Sequence, residues 1–178
     1  DLYADILLWQ KEGWIDYVTP QLYWHIGKTV ADYAVLVDWW SKNTYGCQLY
    51  IGQAPFLIDK KSQEESWQKP EEIINQIKLN RSIPAISGSV FFSGKSLRKN
   101  PLGIKELLQK EMYAYPALTP PNPRVKMLKP GTPEHPVVRK KHKAFELSWE
   151  NADNNRMFVV YKLGKKANLN IENPEHIY

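Results

Sequence analysis

The chain has 178 residues, 43% of them apolar and 24% charged, the size of one ordinary domain or one and a half small ones. No apolar run approaches the ~18 residues of a membrane span, and a single cysteine, Cys47, excludes an internal disulfide framework and a multi-cysteine metal site. The formal charge of +5 lies entirely in residues 121–178, with 11 Lys/Arg against 6 Asp/Glu, whereas residues 1–120 carry 13 of each.

Six of the seven tryptophans precede residue 120, so the chain reads as two pieces, 1–120 and 121–178. They join where Pro116, Pro120, Pro121 and Pro123 gather. Because the first residue is Asp1 and not Met, the natural N-terminus is expected upstream.

Leu2, Ile6 and Trp9 recur at helical spacing, and Gly13 stops that helix. Trp14 to Val18 is too short for a helix and rich in strand formers. Thr29 then caps a predicted helix with the stripe Val30, Tyr33, Ala34, Val37 and Trp40, closed by Gly46. Gln48 to Gly52 follows as a second strand. Pro70, Glu71 and Glu72 suit the first turn of a third helix, with Ile73, Ile74 and Ile77 as its apolar stripe. Ile86 to Phe92 is the third strand. Asn100 with Pro101 opens a last helix carrying Ile104, Leu107, Leu108 and Met112.

Strands recurring every ~35–40 residues with helices between them are the βαβ signature of a parallel sheet. Three βα units do not close a domain, since a (β/α)₈ barrel takes eight strands and ~250 residues. The first piece is therefore expected to belong to a larger barrel or sheet that begins before Asp1.

In such folds ligands sit beyond the carboxyl ends of the strands. Those positions hold Gln21, Tyr23 and Trp24 after the first strand, Gln53 to Phe56 after the second, and Phe91 to Lys95 after the third. Aromatic rings beside amides and hydroxyls can stack on sugar faces and bond their hydroxyls; the same rings would also serve as core and rim packing. Gln21, Tyr23, Trp24, Gln53 and Phe92 are the candidate substrate-binding residues.

Asp16 is read as structural. It lies ~16 Å before Gln21 at ~3.3 Å per residue and differs from it in parity. Asp32, Asp38, Glu71, Glu72 and Glu106 fall in helices as caps or solvated faces, and Asp59, Glu64 and Glu65 fall in the long loop after the second strand, with Trp67. Glycoside hydrolysis generally needs two carboxylates, and none pair at these strand ends, so catalytic residues are expected upstream of Asp1.

His25 directly follows Trp24 and could touch a substrate, although a lone loop histidine is more often without a role; His135, His142 and His176 lack metal-ligand spacing, so no metal and no cofactor are expected. Walker, GxGxxG and GxSxG motifs are missing from the sequence. Cys47 reads as a packed thiol. Asn80-Arg81-Ser82 matches a glycosylation sequon, a pattern frequent by chance.

The run Gly13-Trp14-Ile15-Asp16-Tyr17-Val18-Thr19-Pro20-Gln21-Leu22-Tyr23-Trp24 resembles the DYxxPQxYW segment of the bacterial glycosyl hydrolase-like 10 family. Trp39-Trp40, Leu49 to Gly52 and Ile86 to Phe92 resemble it in the same order, so the likeness covers roughly residues 1–120. It implies that the three strands are the sixth to eighth of a (β/α)₈ TIM barrel, with the acidic residues after the fourth. It also implies an exported enzyme of the periplasm or cell envelope, in many members a lipoprotein. One branch of the family cleaves peptidoglycan strands stripped of their peptides. Gln21, Tyr23 and Trp24 carry over as site-lining positions. A non-catalytic carbohydrate-binding protein is the alternative.

The second piece reads as short strands: Arg124 to Leu128, Phe145 to Glu150 and Met157 to Leu163, with a turn at Asn151 to Asn155. Leu147-Ser148-Trp149 followed by Phe158 to Tyr161 resembles two strands of a fibronectin type III sandwich, of which 58 residues supply only part. Such a part would be a spacer or interaction module. The basic run Arg139 to Lys143 is expected in a solvated loop between the first two of these strands. It has no interleaved aromatic ring, so a nucleic-acid partner is not expected, and a polysaccharide is.

Overall fold

A computed structural model describes residues 3–61, 63–126, 129–151, 155 and 157–178. The chain divides into two compact units, Asp1–Ala114 with Leu118–Val125, and Tyr115–Ala117 with Lys126–Tyr178.

The first unit runs α1 (Ile6–Lys11), β1 (Tyr17–Val18), α2 (Tyr33–Lys42), β2 (Gln48–Gln53), α3 (Glu71–Arg81), β3 (Ile86–Phe91), α4 (Gly94–Lys99) and α5 (Ile104–Glu111). The three strands form a parallel sheet in the order β1-β2-β3, as the alternation of strand and helix in the sequence predicts.

Local chemistry moves several boundaries. The Asp5 carboxylate accepts from Leu8 N and starts α1 at Ile6; Leu2, assigned to this helix by its spacing, lies outside the described residues. β1 is shorter than Trp14 to Val18, and parallel pairing resumes at Gln21 with Gly52. Gly52 permits that approach, because a Cβ there would stand 3.0 Å from Pro20 O. The cap of α2 is Asp32 and not Thr29: one carboxylate oxygen accepts from both Ala34 N and Gly27 N at 2.9 Å. Val30 is consequently outside the helix and exposed.

The sequence gives no forewarning of α4. Ser96 N donates to Ser93 O at 2.9 Å, and Ser93 to Lys95 turn into a helix instead of trailing off the strand. Asn100, in the left-handed region, ends α4 and also opens the Pro101–Gly103 turn that leads into α5 at Ile104, its Oδ1 accepting from Lys105 N at 2.8 Å.

Strand alternation sorts the side chains between two faces. Leu49 and Ile51 pack with Leu22 and with Tyr33 and Val37 of α2. Ile73, Ile74 and Ile77 of α3 pack with Ile104 and Leu108 of α5, and with Ala54, Leu57, Ile58 and Trp67. Each fully buried isoleucine contributes about 1.5–3 kcal/mol. On the opposite sheet face Tyr50 lies over Gly88, where an added Cβ would meet the ring at 3.2 Å, and Tyr17 meets Tyr50 edge-on at 6.0 Å.

Leu118–Val125 stays with the first unit through Arg124. Its guanidinium donates to the carbonyls of Gln10, Ile15 (2.8 Å), Tyr45 (3.0 Å) and Gly46 (3.2 Å). Arg124 therefore stands in a turn and not in the strand its alternation suggested, while Met127 and Leu128 lie outside the described residues.

The second unit is built on an antiparallel hairpin, β4 (Glu134–Lys141) with β5 (Ala144–Glu150). Arg139, Lys140 and Lys141 are strand residues, with only His142 and Lys143 in the turn, which corrects the expected basic loop. The run Met157 to Leu163 forms no extended strand among the described residues. It contributes one bridge, Tyr161 with Ile177, and Trp149 meets Phe158 edge-on at 5.1 Å. Ala152, Asp153 and Asn154, in the expected turn, lie outside the described residues. No helix among the described residues is long and apolar enough to cross a membrane.

Candidate functional site

Because the three strands are parallel, their carboxyl ends share one edge, where the sequence places its candidates. Tyr23 follows β1, Phe56 lies in the 3-10 turn Pro55–Leu57 after β2, and Phe92 directly follows β3. Their rings meet: Tyr23 to Phe56 at 5.6 Å, Phe56 to Phe92 at 5.8 Å, both edge-on, and Tyr23 to Phe92 tilted at 6.2 Å. Phe92 is 57% exposed and Trp24 38%, while Tyr23 and Phe56 are half-buried, so the trio offers a partly open apolar floor. Burial raises the Tyr23 hydroxyl pKa, which keeps that group a neutral donor.

Gln21 is exposed beside this edge, paired through the backbone with Gly52. Gln53 is placed differently. It shares the parity of Leu49 and Ile51, is fully buried, and donates from Nε2 to Gln76 Oε1 of α3 at 3.2 Å. It is a core amide here and not a side chain open to a ligand. Phe56 occupies the surface position expected of it, a residue the sequence shows only as an aromatic three positions on.

A buried polar ladder supports the loop that carries Tyr23 and Trp24. Gln76 Nε2 donates to Trp24 O at 3.1 Å and to Glu72 Oε1 at 2.8 Å, and Ile26 N donates to Glu72 Oε1 at 2.9 Å. Glu72 is therefore a buried anchor and not the solvated helix residue its position suggested.

His25 departs from its expectation too. It is buried, its Nδ1–H donates to Ile26 O at 2.8 Å, and its Nε2 meets the Glu64 carboxylate, which also binds Lys28. Burial lowers its pKa, but the Ile26 carbonyl, the Glu64 hydrogen bond and charge, and the Glu72 charge outweigh that, leaving it raised. Glu64 is held below the usual carboxylate range by Lys28 and His25. The contact clasps the loop after β1 to the loop after β2.

Other candidates stand apart from this floor. Asp16 is exposed and its carbonyl accepts from Gln48 N at 3.1 Å. Cys47 is buried, and burial pushes its thiol pKa up. Asn80 of the sequon is buried between Tyr33 and Ser89, closed to a glycan in this fold. In the second unit Glu134, His135 and Glu150 bring ligand atoms within 4.8 Å of one another, all on exposed side chains. Spacing misses that group because Glu150 arrives opposite Glu134 by strand pairing.

Residues 1–69 match the family described as Glycosyl hydrolase-like 10. A Bacillus subtilis (strain 168) protein named Glycosyl hydrolase YngK is 46% identical over 136 residues, covering 75% of this chain and 26% of that protein. Glycosyl hydrolase DigH of Escherichia coli (strain K12) is 35% identical over 103 residues, 54% of this chain and 24% of the relative. The chain thus spans about a quarter of the length of these curated relatives. Residues 1–69 thus carry the glycosyl hydrolase-like 10 family match, and the N-terminal unit is similar to proteins named glycosyl hydrolases.

Proposed function

We propose that this chain is part of a glycoside hydrolase acting on a bacterial cell-wall or related amino-sugar polysaccharide. The observation that carries this reading is the ring trio Tyr23, Phe56 and Phe92, one from each strand end, forming a floor on which a pyranose face can stack. Gln21 and the Tyr23 hydroxyl supply hydrogen bonds to sugar hydroxyls, and Trp24 extends the apolar surface.

In this proposal β1, β2 and β3 are the last three strands of a (β/α)₈ barrel, and the exposed face bearing Tyr17 and Tyr50 looks into it. An acid and a second carboxylate from upstream strands protonate the leaving oxygen and attack, or activate water, at the anomeric carbon. The loop carboxylate Glu64, which clasps the loop after β1, is already engaged by His25 and Lys28 and is unsuited to either role. The second unit is part of a fibronectin type III-like sandwich: Phe145, Leu147, Val160 and Leu163 line a groove of about 630 Å³ on which its remaining strands would pack. The protein is exported, to the periplasm or cell envelope.

The test incubates the complete gene product with peptide-free peptidoglycan strands and reads released sugars by mass spectrometry. Short glycan products that drop about 5- to 30-fold in Phe92→Ala, the loss of one stacked ring at ~1–2 kcal/mol, are expected. Binding without products would replace the hydrolase with a carbohydrate-binding protein, and neither binding nor products would refute the substrate.

A further inference from the structure

Beside the ring trio stands an ammonium that no part of the proposed hydrolysis uses. Lys60 Nζ lies 4.8 Å from the centroid of Phe56, the central ring of the platform. A cation over an aromatic face is held by the ring quadrupole, and here the backbone beneath it is braced as well. Lys60 O accepts from Gln68 Nε2 at 2.7 Å and from Gln63 N at 2.9 Å. The next residue back, Asp59, donates its N–H to the carbonyl of buried Trp67 at 2.9 Å. The lysine therefore sits on a fixed loop with its charge at the platform rim.

Of the charged residues on that loop Glu64 and Glu65 are matched, whereas Asp59 and Lys61, which flank Lys60, are in no salt bridge among the described residues. Glu64 binds His25 and Lys28, and Glu65 pairs with Lys69 at 2.9 Å. Among the described residues Lys60 makes no salt bridge. A neutral sugar stacked on Phe92 leaves that charge with water. A sugar bearing a carboxyl group brings an anion to it, at a rim where one side is already apolar and the local field is less screened than in bulk water.

We infer that Lys60 is a specificity-determining residue that makes the platform favour saccharides carrying carboxylate groups over neutral ones. This rests on the reading of the ring trio as a sugar floor. The preference is modest, because Lys60 is exposed: an exposed ion pair corresponds to roughly a two- to fivefold difference in affinity.

The experiment titrates the complete gene product, by calorimetry at low salt, with an amino-sugar oligosaccharide bearing free carboxyl groups. The same oligosaccharide, methyl-esterified at those groups, is the matched neutral probe. The wild type is expected to bind the acid form about two- to fivefold more tightly, with the difference shrinking at high salt. Lys60→Met is expected to bind the two forms alike, and Lys60→Arg to keep the preference. Equal affinity of the wild type for both forms, or a preference retained in Lys60→Met, overturns the role of Lys60 while leaving the platform in place. Binding of neither form overturns the platform and the inference with it.

Discussion

Replacing Gln76 by methionine tests whether the buried ladder carries the loop that bears Tyr23 and Trp24. Gln76 is fully buried, and three hydrogen bonds end on its amide: from Gln53 Nε2, to Trp24 O and to Glu72 Oε1. Methionine keeps the volume and removes all three. Glu72 Oε1 retains Ile26 N, but Gln53 Nε2 loses its acceptor and Trp24 O its donor. At about 1–3 kcal/mol for each orphaned group, and discounting Trp24 O for its partial exposure, the cost is about 2–4 kcal/mol. That is a large part of an ordinary domain's ~5–15 kcal/mol. Urea unfolding followed by tryptophan fluorescence should show the midpoint falling by about 1–2 M. Gln53→Met should cost less, about 1 kcal/mol, since its Oε1 has no partner among the described residues and its removal takes an unfavourable burial with it. The double variant should then be more stable than the two losses added together, because no orphaned Gln53 amide remains. A Gln76→Met protein within about 0.5 kcal/mol of wild type, or strict additivity in the cycle, would refute the ladder as the support of this loop.

Two further perturbations follow from the same first unit. His25 has a folded-state pKa above its ordinary 6.5, so its contribution is complete below 6.5 and is lost as pH rises through the folded value. Glu64, shifted down from 4.5, contributes above 4.5 and loses its share as pH falls through its own folded value. Urea midpoints measured between about pH 5.5 and pH 8.5 should therefore decline more steeply in wild type than in His25→Gln. An identical slope in the two proteins would remove the clasp as the source. Arg124→Ala should destabilise the first unit by about 2–3 kcal/mol, four carbonyls losing a charged donor at partly exposed positions. Limited proteolysis between Leu118 and Val125 should accelerate in parallel, and Arg124→Lys should rescue only part, since an ammonium cannot reach four carbonyls from one position.

The stripe Ile73, Ile74 and Ile77 was legible because helical periodicity is local, and all three residues are buried where that period puts them. The strands at Gln48 and Ile86 were legible for the same reason, as were the parallel connections that make their carboxyl ends share an edge. Gln53 shows where legibility stops. Alternation says that residues 49, 51 and 53 share a face, but both faces of a parallel sheet are covered and either parity reads as apolar. Only the packing of Leu49 and Ile51 against α2 turned Gln53 toward the helices and left the aromatic floor at the strand ends to Phe56.

Sequence separation accounts for the rest. His25 meets Glu64 across 39 residues, Gln76 reaches Trp24 across 52, and Arg124 reaches Ile15 across 109. None of these pairs leaves a periodic trace, because each partner belongs to a different element whose own pattern is complete without it. The sequence by itself determined the alternation of β1, α2, β2, α3 and β3, the core stripes and the family motif around Gln21, Tyr23 and Trp24. These depend on neighbours three, four or two positions away. The meeting of Tyr23, Phe56 and Phe92, the clasp at His25, the ladder at Gln76 and the placing of Lys60 over Phe56 were decided only when the parallel sheet brought distant strand ends to one edge.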